Sequence, residues 1–286
     1  NCVALGSAAR LIVYAGGTEK IIGCTEMELR GDPGMPYAYA NKDFFANCQA
    51  MASGGSGNAD YAEAIVALDP DVIFYQDSDT IAMEDLAAKT GLPVVGVYGD
   101  AFNSHYLTDS INLIGEVLGT EEHAENVANS ITGWVEELDT LTKDIPEEEK
   151  PTVYPGAVSW SGGHGFMGTY VNYAPLEAIH AISLPDELDA NSGVEVSMEQ
   201  ILEWDPDEDY AANPDAIDSL TAVQNGRVYA QVNFNYYWCN MELAIVDSYY
   251  AGSVLYPEAF ADINFEEKAE EIFNTMIGMD YLDVLD

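Results

Sequence analysis

The sequence predicts an α/β protein of two lobes, each built on a parallel sheet, with one long helix joining them. Three features predict it. Short apolar runs alternate with helical periodicity through the first third of the chain and again beyond about residue 150. Between them, Glu121 to Lys143 keeps Ala124, Val127, Ala128, Ile131, Val135, Leu138 and Leu141 on one face. At 1.5 Å per residue this helix would extend roughly 34 Å, enough to bridge two domains. Finally, a Glu-to-Asp-Pro-Asp motif occurs once in each half.

Asn1 to Leu5 reads as a strand that ends at Gly6-Ser7, and Ala8, Leu11, Ile12 and Ala15 give the helix that follows, stopped by Gly16-Gly17. Lys20 to Cys24 is a second strand, and Gly31 to Asn41 an exposed loop carrying Tyr37 and Tyr39. After the Gly-rich loop Ser53 to Asn58 come helix Asp60 to Leu68, strand Val72 to Tyr75, helix Ala82 to Thr90 and strand Pro93 to Val97. From Ser110 the pattern is helical, broken at Gly119-Thr120, where Thr120 is placed to cap the long helix and Glu121 and Glu122 suit its positive end. Past the acidic punctuation Asp144 to Pro151 come strand Thr152 to Val158, a Gly-rich loop from Ser161 to Gly168, and helices near Pro175 to Ala181 and Met198 to Trp204. Strand Arg227 to Val232, an aromatic loop from Asn233 to Trp238, and helices Met241 to Leu255 and Phe265 to Ile277 complete the chain. The expected division is an N-terminal lobe 1–109, a helical linker 110–146 and a C-terminal lobe 147–286.

Nearly half of the 286 residues are hydrophobic, so the chain can build a real core, while 50 acidic against 9 basic residues give a formal charge of −41. That charge repels nucleic acid and anionic membranes, and its simplest meaning is a strongly solvated surface. No stretch approaches the roughly 20 apolar residues of a spanning helix, and Asn1 to Leu5 reads as a strand, not a leader, so the chain reads as mature or trimmed. Cys2, Cys24, Cys48 and Cys239 contain no C-x-x-C pair. A Cys24–Cys48 disulfide is one reading in an oxidising compartment; buried free thiols are the favoured one.

Ligands of parallel α/β sheets sit beyond the carboxyl ends of the strands, which makes the following loops the candidate site. In the first lobe these hold Ser7, Arg10, Tyr37, Tyr39, Ser56, Tyr75 and Tyr98; in the second, Trp160, His164, Phe166, Tyr170, Asn235, Tyr236, Tyr237 and Trp238. Rings concentrated there suit a large, flat ligand or chelate. His105, His123, His164 and His180 are dispersed, so no bare-metal site is expected, and His164 alone is kept as a ligand contact or axial ligand. With so few Arg and Lys, a neutral or cationic chelate fits better than an anionic one. No G-x-S-x-G elbow, phosphate loop or Cys-His pair is present, and an enzyme is not expected.

The two Glu-to-Asp-Pro-Asp segments, Glu63 to Asp71 and Glu199 to Asp207, share their spacing and imply pseudo-duplicated lobes. With the runs ALGSAARLIVYAGGTEKIIGC, EAIVALDPDVIFYQ, LAAKTGLPVVGVY, LIGEVLGTEEHAENV, SMEQILEWDPD, LTAVQNGRVYAQ and MELAIVDSYYAGSVLYPEAF, they make the chain resemble, over nearly its whole length, the iron-siderophore, cobalamin and haem class of ABC-transporter substrate-binding proteins. The resemblance implies two Rossmann-like lobes joined by one long helix with a ligand cleft between them, no intrinsic cofactor, and an iron–siderophore as cargo, with a corrinoid or haem as the alternative. It implies an extracytoplasmic monomer, periplasmic or lipid-anchored, that docks on a permease through Glu63 and Glu199. A lesser alternative is an enzyme or metallocluster protein on a similar bilobal fold. One departure stands out: the family follows the second Asp-Pro-Asp with a buried strand, whereas Asp207 runs into polar residues. Either the lobe has lost that strand or residues are absent near Asp207 to Asp209, and the second reading is favoured.

Overall fold

Five short strands, β1 (Cys2–Gly6), β2 (Ile21–Thr25), β3 (Gln49–Ala52), β4 (Val72–Gln76) and β5 (Val94–Gly96), form one parallel sheet in the order β3-β2-β1-β4-β5 in the computed structural model. The residues described are 1–54, 61–76, 80–99, 101–160, 162–205, 208–209 and 220–285. β1 and β4 are buried along their whole length, the pattern of a sheet covered on both faces. Strand order reverses at β1, which puts the topological switch point, where ligands of such sheets sit, beyond the carboxyl ends of β1 and β4. Gly6 closes β1 there with φ +62°, and any Cβ would stand 2.1 Å from the Gln76 carbonyl oxygen. Only glycine lets the two strand ends lie that close.

Around this sheet lie α1 (Ala8–Tyr14), every residue of it buried, α2 (Ala62–Leu68) and α3 (His105–Leu118). Ser104 caps α3 by accepting the Tyr106 N–H at 3.3 Å. Gly119 ends it in the left-handed region at φ +73°. The long helix α4 runs Glu121–Thr142. Thr120 does not cap it as expected: its Oγ1 is buried without a hydrogen-bond partner. The expected exposed loop at Tyr37 and Tyr39 is also different, because Pro36, with its fixed φ, starts a short helix Pro36–Ala40 that buries Tyr37.

A second sheet is small: β6 (Thr152–Tyr154), β8 (Ile182–Ser183) and β10 (Glu208–Asp209) lie parallel in the order β10-β6-β8, while β7 (Gly168–Tyr170) and β9 (Gly193–Glu195) pair antiparallel. The strand after the second Asp-Pro-Asp is therefore present, shortened to the two residues that pair with Val153 and Tyr154. The expected strand Thr152 to Val158 stops at Tyr154, and Arg227 to Val232 is not a sheet strand. There the chain spends its polar groups on a helix instead: Gln231 Nε2 donates to the Asp247 carbonyl at 3.0 Å and the Val232 N–H to Asp247 Oδ1 at 3.3 Å.

The chain divides into two compact units, Asn1–Gly133 with Tyr236–Glu242 and Ala269–Asp286, and Trp134–Asn235 with Leu243–Lys268. The expected continuous lobe 147–286 is thus interrupted twice. Chain passes from one unit to the other within α4, within α6 (Met241–Leu255), within α7 (Phe265–Ile277) and at the aromatic loop. The two returning segments carry the partners of first-unit residues: Tyr237 and Glu242 for Arg10 and Tyr14, and Tyr281 for Tyr39.

Over its described residues the repeated motif forms matching helices in the two units. Helices α2 and α5 (Met198–Trp204) both end on an aspartate in the left-handed region, Asp69 at φ 53° and Asp205 at φ 38°. Asp205 accepts the Thr221 N–H and hydroxyl at 2.8 Å each. Replacing Asp69→Gly should therefore stabilise the protein, by on the order of 1 kcal/mol of relieved backbone strain, in urea denaturation. Asp205→Gly should destabilise it, because the Thr221 contacts are lost; a gain at both positions would show that these contacts contribute nothing.

Candidate functional site

In the first unit the residues at the carboxyl edge of the sheet are drawn inward around one cation. Arg10 is fully buried, donates from Nη2 to the Tyr237 carbonyl at 2.5 Å, and lies 4.9 Å from the centre of the Tyr37 ring. Tyr37 OH donates to Glu28 Oε1 at 2.8 Å, while Glu28 Oε2 accepts the Thr25 hydroxyl at 2.5 Å and the Thr25 N–H at 3.1 Å. Tyr237 OH bonds the Gly6 carbonyl and sits 3.0 Å from Thr25 Oγ1; Tyr14 OH donates to Glu242. Burial raises the Glu28 and Glu242 carboxyls above the usual range, and their hydrogen bonds and Arg10 pull them back.

This network holds the aromatic loop in a strained shape. Tyr237 and Trp238 are consecutive left-handed residues, φ 50° and 66°, a conformation that bulky side chains rarely adopt. Tyr236 OH donates to Asp32 Oδ2 at 3.1 Å and Asn240 Nδ2 to the Gly34 carbonyl at 3.2 Å, fastening both flanks. With Tyr237 turned inward, Trp238 is left 40% and Tyr236 36% exposed.

The second unit presents a different cluster. The Trp160 ring stacks on His164 with centres 3.7 Å apart and planes 10° apart, and Tyr170 stands edge-on at 6.5 Å. His164 Nδ1 lies 2.8 Å from Glu195 Oε1 and Nε2 2.7 Å from the Trp160 carbonyl. Both partners are acceptors and suit a protonated ring, and the Glu195 hydrogen bond raises the His164 pKa from the ordinary 6.5. Both ring nitrogens are engaged within the protein in this conformation, so neither is turned to a metal.

Beside these rings, where the chain leaves β6, is a concavity of about 210 Å³ lined by Pro155, Gly156, Ala157, Val158, Tyr173, Tyr229, Ala230, Gln231, Val232, Asn233 and Asn235. Among the described residues, no lining side chain is an acid or a base. Behind its wall lies Asp247, 3% exposed, whose carboxyl is pushed well above the usual range by burial. Sequence reasoning placed Asn233 and Asn235 of this pocket in a candidate loop but took Pro155 to Val158 for strand, and the early end of β6 was the signal it lacked.

Of the remaining expected contacts, Ser7 and Tyr75 are buried in the first unit and Phe166 in the second, where Phe166 packs edge-on against Tyr154. With Arg10 and Tyr37 they offer a ligand no surface in this conformation and act as supports. Tyr39 rests on Tyr281 with Lys42 over its ring, and Tyr98 meets Tyr106 edge-on. Ser56 lies outside the described residues. Glu63 and Glu199 are exposed on α2 and α5, and one turn beyond each stands an exposed aliphatic that the sequence reading did not single out, Val66 at 47% and Leu202 at 43%. Among the described residues no three His, Cys, Asp or Glu side chains converge as a metal site, and no helix is long and apolar enough to cross a membrane.

The His164 pair gives a direct test. Its contribution is complete below pH 6.5 and is lost as pH rises through the elevated folded pKa of His164. In Glu195→Gln the titration midpoint of the imidazole, followed by NMR, should move down toward 6.5; an unchanged midpoint would remove Glu195 as the cause.

Comparison with known proteins places the whole chain. An ABC transporter solute binding protein from Sulfurospirillum deleyianum superposes with TM-score 0.70 at 23% identity, covering 97% of this chain and 90% of its own. A periplasmic solute binding protein from Veillonella parvula gives 0.76 at 18% identity, covering 98% and 88%. The molybdate-binding MolA of Haemophilus influenzae, bound to molybdate, gives 0.74 at 18% identity, covering 98% and 93%. The fold also matches haem- and vitamin B12-binding proteins of Vibrio cholerae. No curated protein sequence matches. The periplasmic binding protein family model matches residues 3–231, and the chain, with its parallel doubly wound sheet and strand-end loops, belongs to that family.

Proposed function

We propose that this protein captures a neutral or cationic metal chelate, a ferric hydroxamate siderophore in the first place, and passes it unchanged to an ABC permease. Delivery to a permease is what binding proteins of this family do; the identity of the cargo is the new step. The observation that carries it is the uncharged concavity at the end of β6, lined by amides, phenols and small apolar residues. An anionic chelate needs several cations. Arg10, in the first unit, is fully buried and exposes no surface to an anion in this conformation, although only its Nη2 has a hydrogen-bond partner and its Nε and Nη1 have none. Each unit by itself also presents partly exposed rings, Trp160 and Tyr170 in the second and Tyr236 and Trp238 in the first, rigid and half-polar surface of the kind a bulky chelate contacts.

A corrinoid is the second reading, favoured by Gln231, Asn233 and Asn235, since carboxamide pairs readily with carboxamide. In either case the compound is cargo, not cofactor, and undergoes no turnover. The protein acts as a monomer, with Glu63 and Glu199 meeting the permease and Val66 and Leu202 adding an apolar contact beside each charge.

Quenching of tryptophan fluorescence by a neutral ferric trihydroxamate, a ferric tricatecholate, haem and cobalamin decides among these. The trihydroxamate should bind most tightly; preference for the tricatecholate would overturn the charge argument. Trp160→Ala and Trp238→Ala should each weaken binding of the favoured chelate by about 1–3 kcal/mol, and an unchanged affinity would remove that ring from the site. In a transport assay with the cognate permease, Glu63→Lys with Glu199→Lys should cut uptake several-fold while affinity for the chelate holds. Undiminished uptake would refute docking through these two residues.

A further inference from the structure

The concavity at the end of β6 is small for a whole chelate. It holds about 210 Å³, whereas pockets that enclose drug-sized ligands run to roughly 300–1,000 Å³, so it is sized for one arm of a guest. Two side-chain amides of its lining, Gln231 and Asn233, are turned by bonds that fix which end is left over. Gln231 Nε2 donates to the Asp247 carbonyl at 3.0 Å; a carbonyl only accepts, so the nitrogen is engaged and Oε1 remains. Asn233 is turned the opposite way. Its Oδ1 accepts the Asn235 N–H at 3.0 Å; a backbone N–H only donates, so Nδ2 remains. Neither remaining end has another partner among the described residues.

We infer that the concavity is a subsite for one amide group of the cargo, whose N–H donates to Gln231 Oε1 and whose carbonyl oxygen accepts from Asn233 Nδ2. This rests on the reading that the recess receives the cargo, and it names the group that enters. An amide carries a donor and an acceptor on one planar, uncharged unit, which matches a lining with one fixed acceptor, one fixed donor and no Asp, Glu, Lys, Arg or His. An ester or a tertiary amide brings the acceptor alone and leaves Gln231 Oε1 unmet, and a polar atom taken out of water without a partner costs affinity.

Both orientations are set before a guest arrives. The Asp247 carbonyl that holds Gln231 belongs to the buried helix α6, and Oδ1 of the same residue takes the Val232 N–H at 3.3 Å, so Gln231 and the chain beside it are pinned to one point of that helix. Asn233 is held within its own loop by Asn235. Groups ordered in advance lose less freedom on binding. The side-chain amide of Asn235 is fixed by no such bond and turns either end to the guest, so the preference for a donor beside an acceptor comes from Gln231 and Asn233.

The test needs no chelate. The isotope-labelled full chain is titrated with propionamide, N-methylacetamide, N,N-dimethylacetamide and methyl acetate while the side-chain amide signals of Gln231 and Asn233 are followed by NMR. The first two probes carry both N–H and C=O and should shift both signals, binding about fivefold more tightly than the last two, the difference one hydrogen bond makes. Asn233→Asp keeps the acceptor for the Asn235 N–H but loses the donor, and should weaken N-methylacetamide by about the same factor; Gln231→Met should erase its advantage over methyl acetate. Equal binding of ester and secondary amide by the unaltered protein, or no shift of these signals with any probe, would overturn the subsite. The result is read apart from the cargo: chelate quenching of tryptophan fluorescence without amide binding here sinks the subsite alone, and amide binding without chelate binding sinks the cargo reading alone.

Discussion

A guanidinium cut off from water is costly unless the protein meets it, and the burial of Arg10, met at Nη2 and by the Tyr37 ring but with Nε and Nη1 unpartnered, is the constraint around which the first unit is organised. Its partners are far away in sequence: a carbonyl of the aromatic loop, the face of Tyr37 and, at longer range, the carboxyl of Glu242. Meeting them requires the chain to return after residue 235 and insert Tyr236 to Glu242 beside β1 and β2. That return fixes the strained conformations of Tyr237 and Trp238, and through them which ring faces outward. Strain of this kind persists only where surrounding bonds over-determine the backbone; here Arg10, Gly6, Thr25, Asp32 and Gly34 do so.

The two units are echoes of unequal quality. Each carries a seven-residue helix closed by a left-handed aspartate and followed by a parallel strand. In the first unit that strand has five buried residues, and the sheet around it has five strands. In the second it has two residues in a three-stranded sheet, and stability is drawn instead from packing around Tyr154, Phe166, Ile201 and Leu220 and from the buried helix Met241–Leu255. A shorter β6 frees Pro155 to Val158 from the ladder, and those residues become one wall of the concavity. The loss of sheet and the gain of pocket are the same event.

Charge is partitioned accordingly. The large negative charge is on the solvated surface, whereas the lining of the concavity carries none, and burial raises the carboxyl of Asp247, a residue that bonds two lining residues, well above its usual range. If the proposed cargo enters this recess, so acidic a protein would discriminate by sign, repelling anions before they reach an uncharged lining. The same reasoning separates the rings by role. Those whose hydroxyls find buried carboxylates, Tyr14 and Tyr37, hold the fold together; Trp238 and Tyr236 keep surface open.

By itself the sequence determined whatever depends on short-range pattern. The period of the apolar residues set four of the five strands of the first sheet, all but Gln49–Ala52, and the helix Glu121–Thr142, and the Asp-Pro-Asp motifs marked the repeated helix. Even β10 was written there, though its polar residues disguised it, because a two-residue strand needs backbone pairing and not apolar side chains. The fate of each aromatic was not legible. Tyr37, Tyr75 and Phe166 are interior and Trp238 is not, a difference settled by hydrogen bonds and packing across distances of up to hundreds of residues. The same holds for His164, whose role turned on meeting Glu195 and the Trp160 carbonyl at once. Local periodicity states which face of an element is buried; only the folded chain decides what each buried polar group is paired with, and that pairing leaves particular side chains free for a ligand.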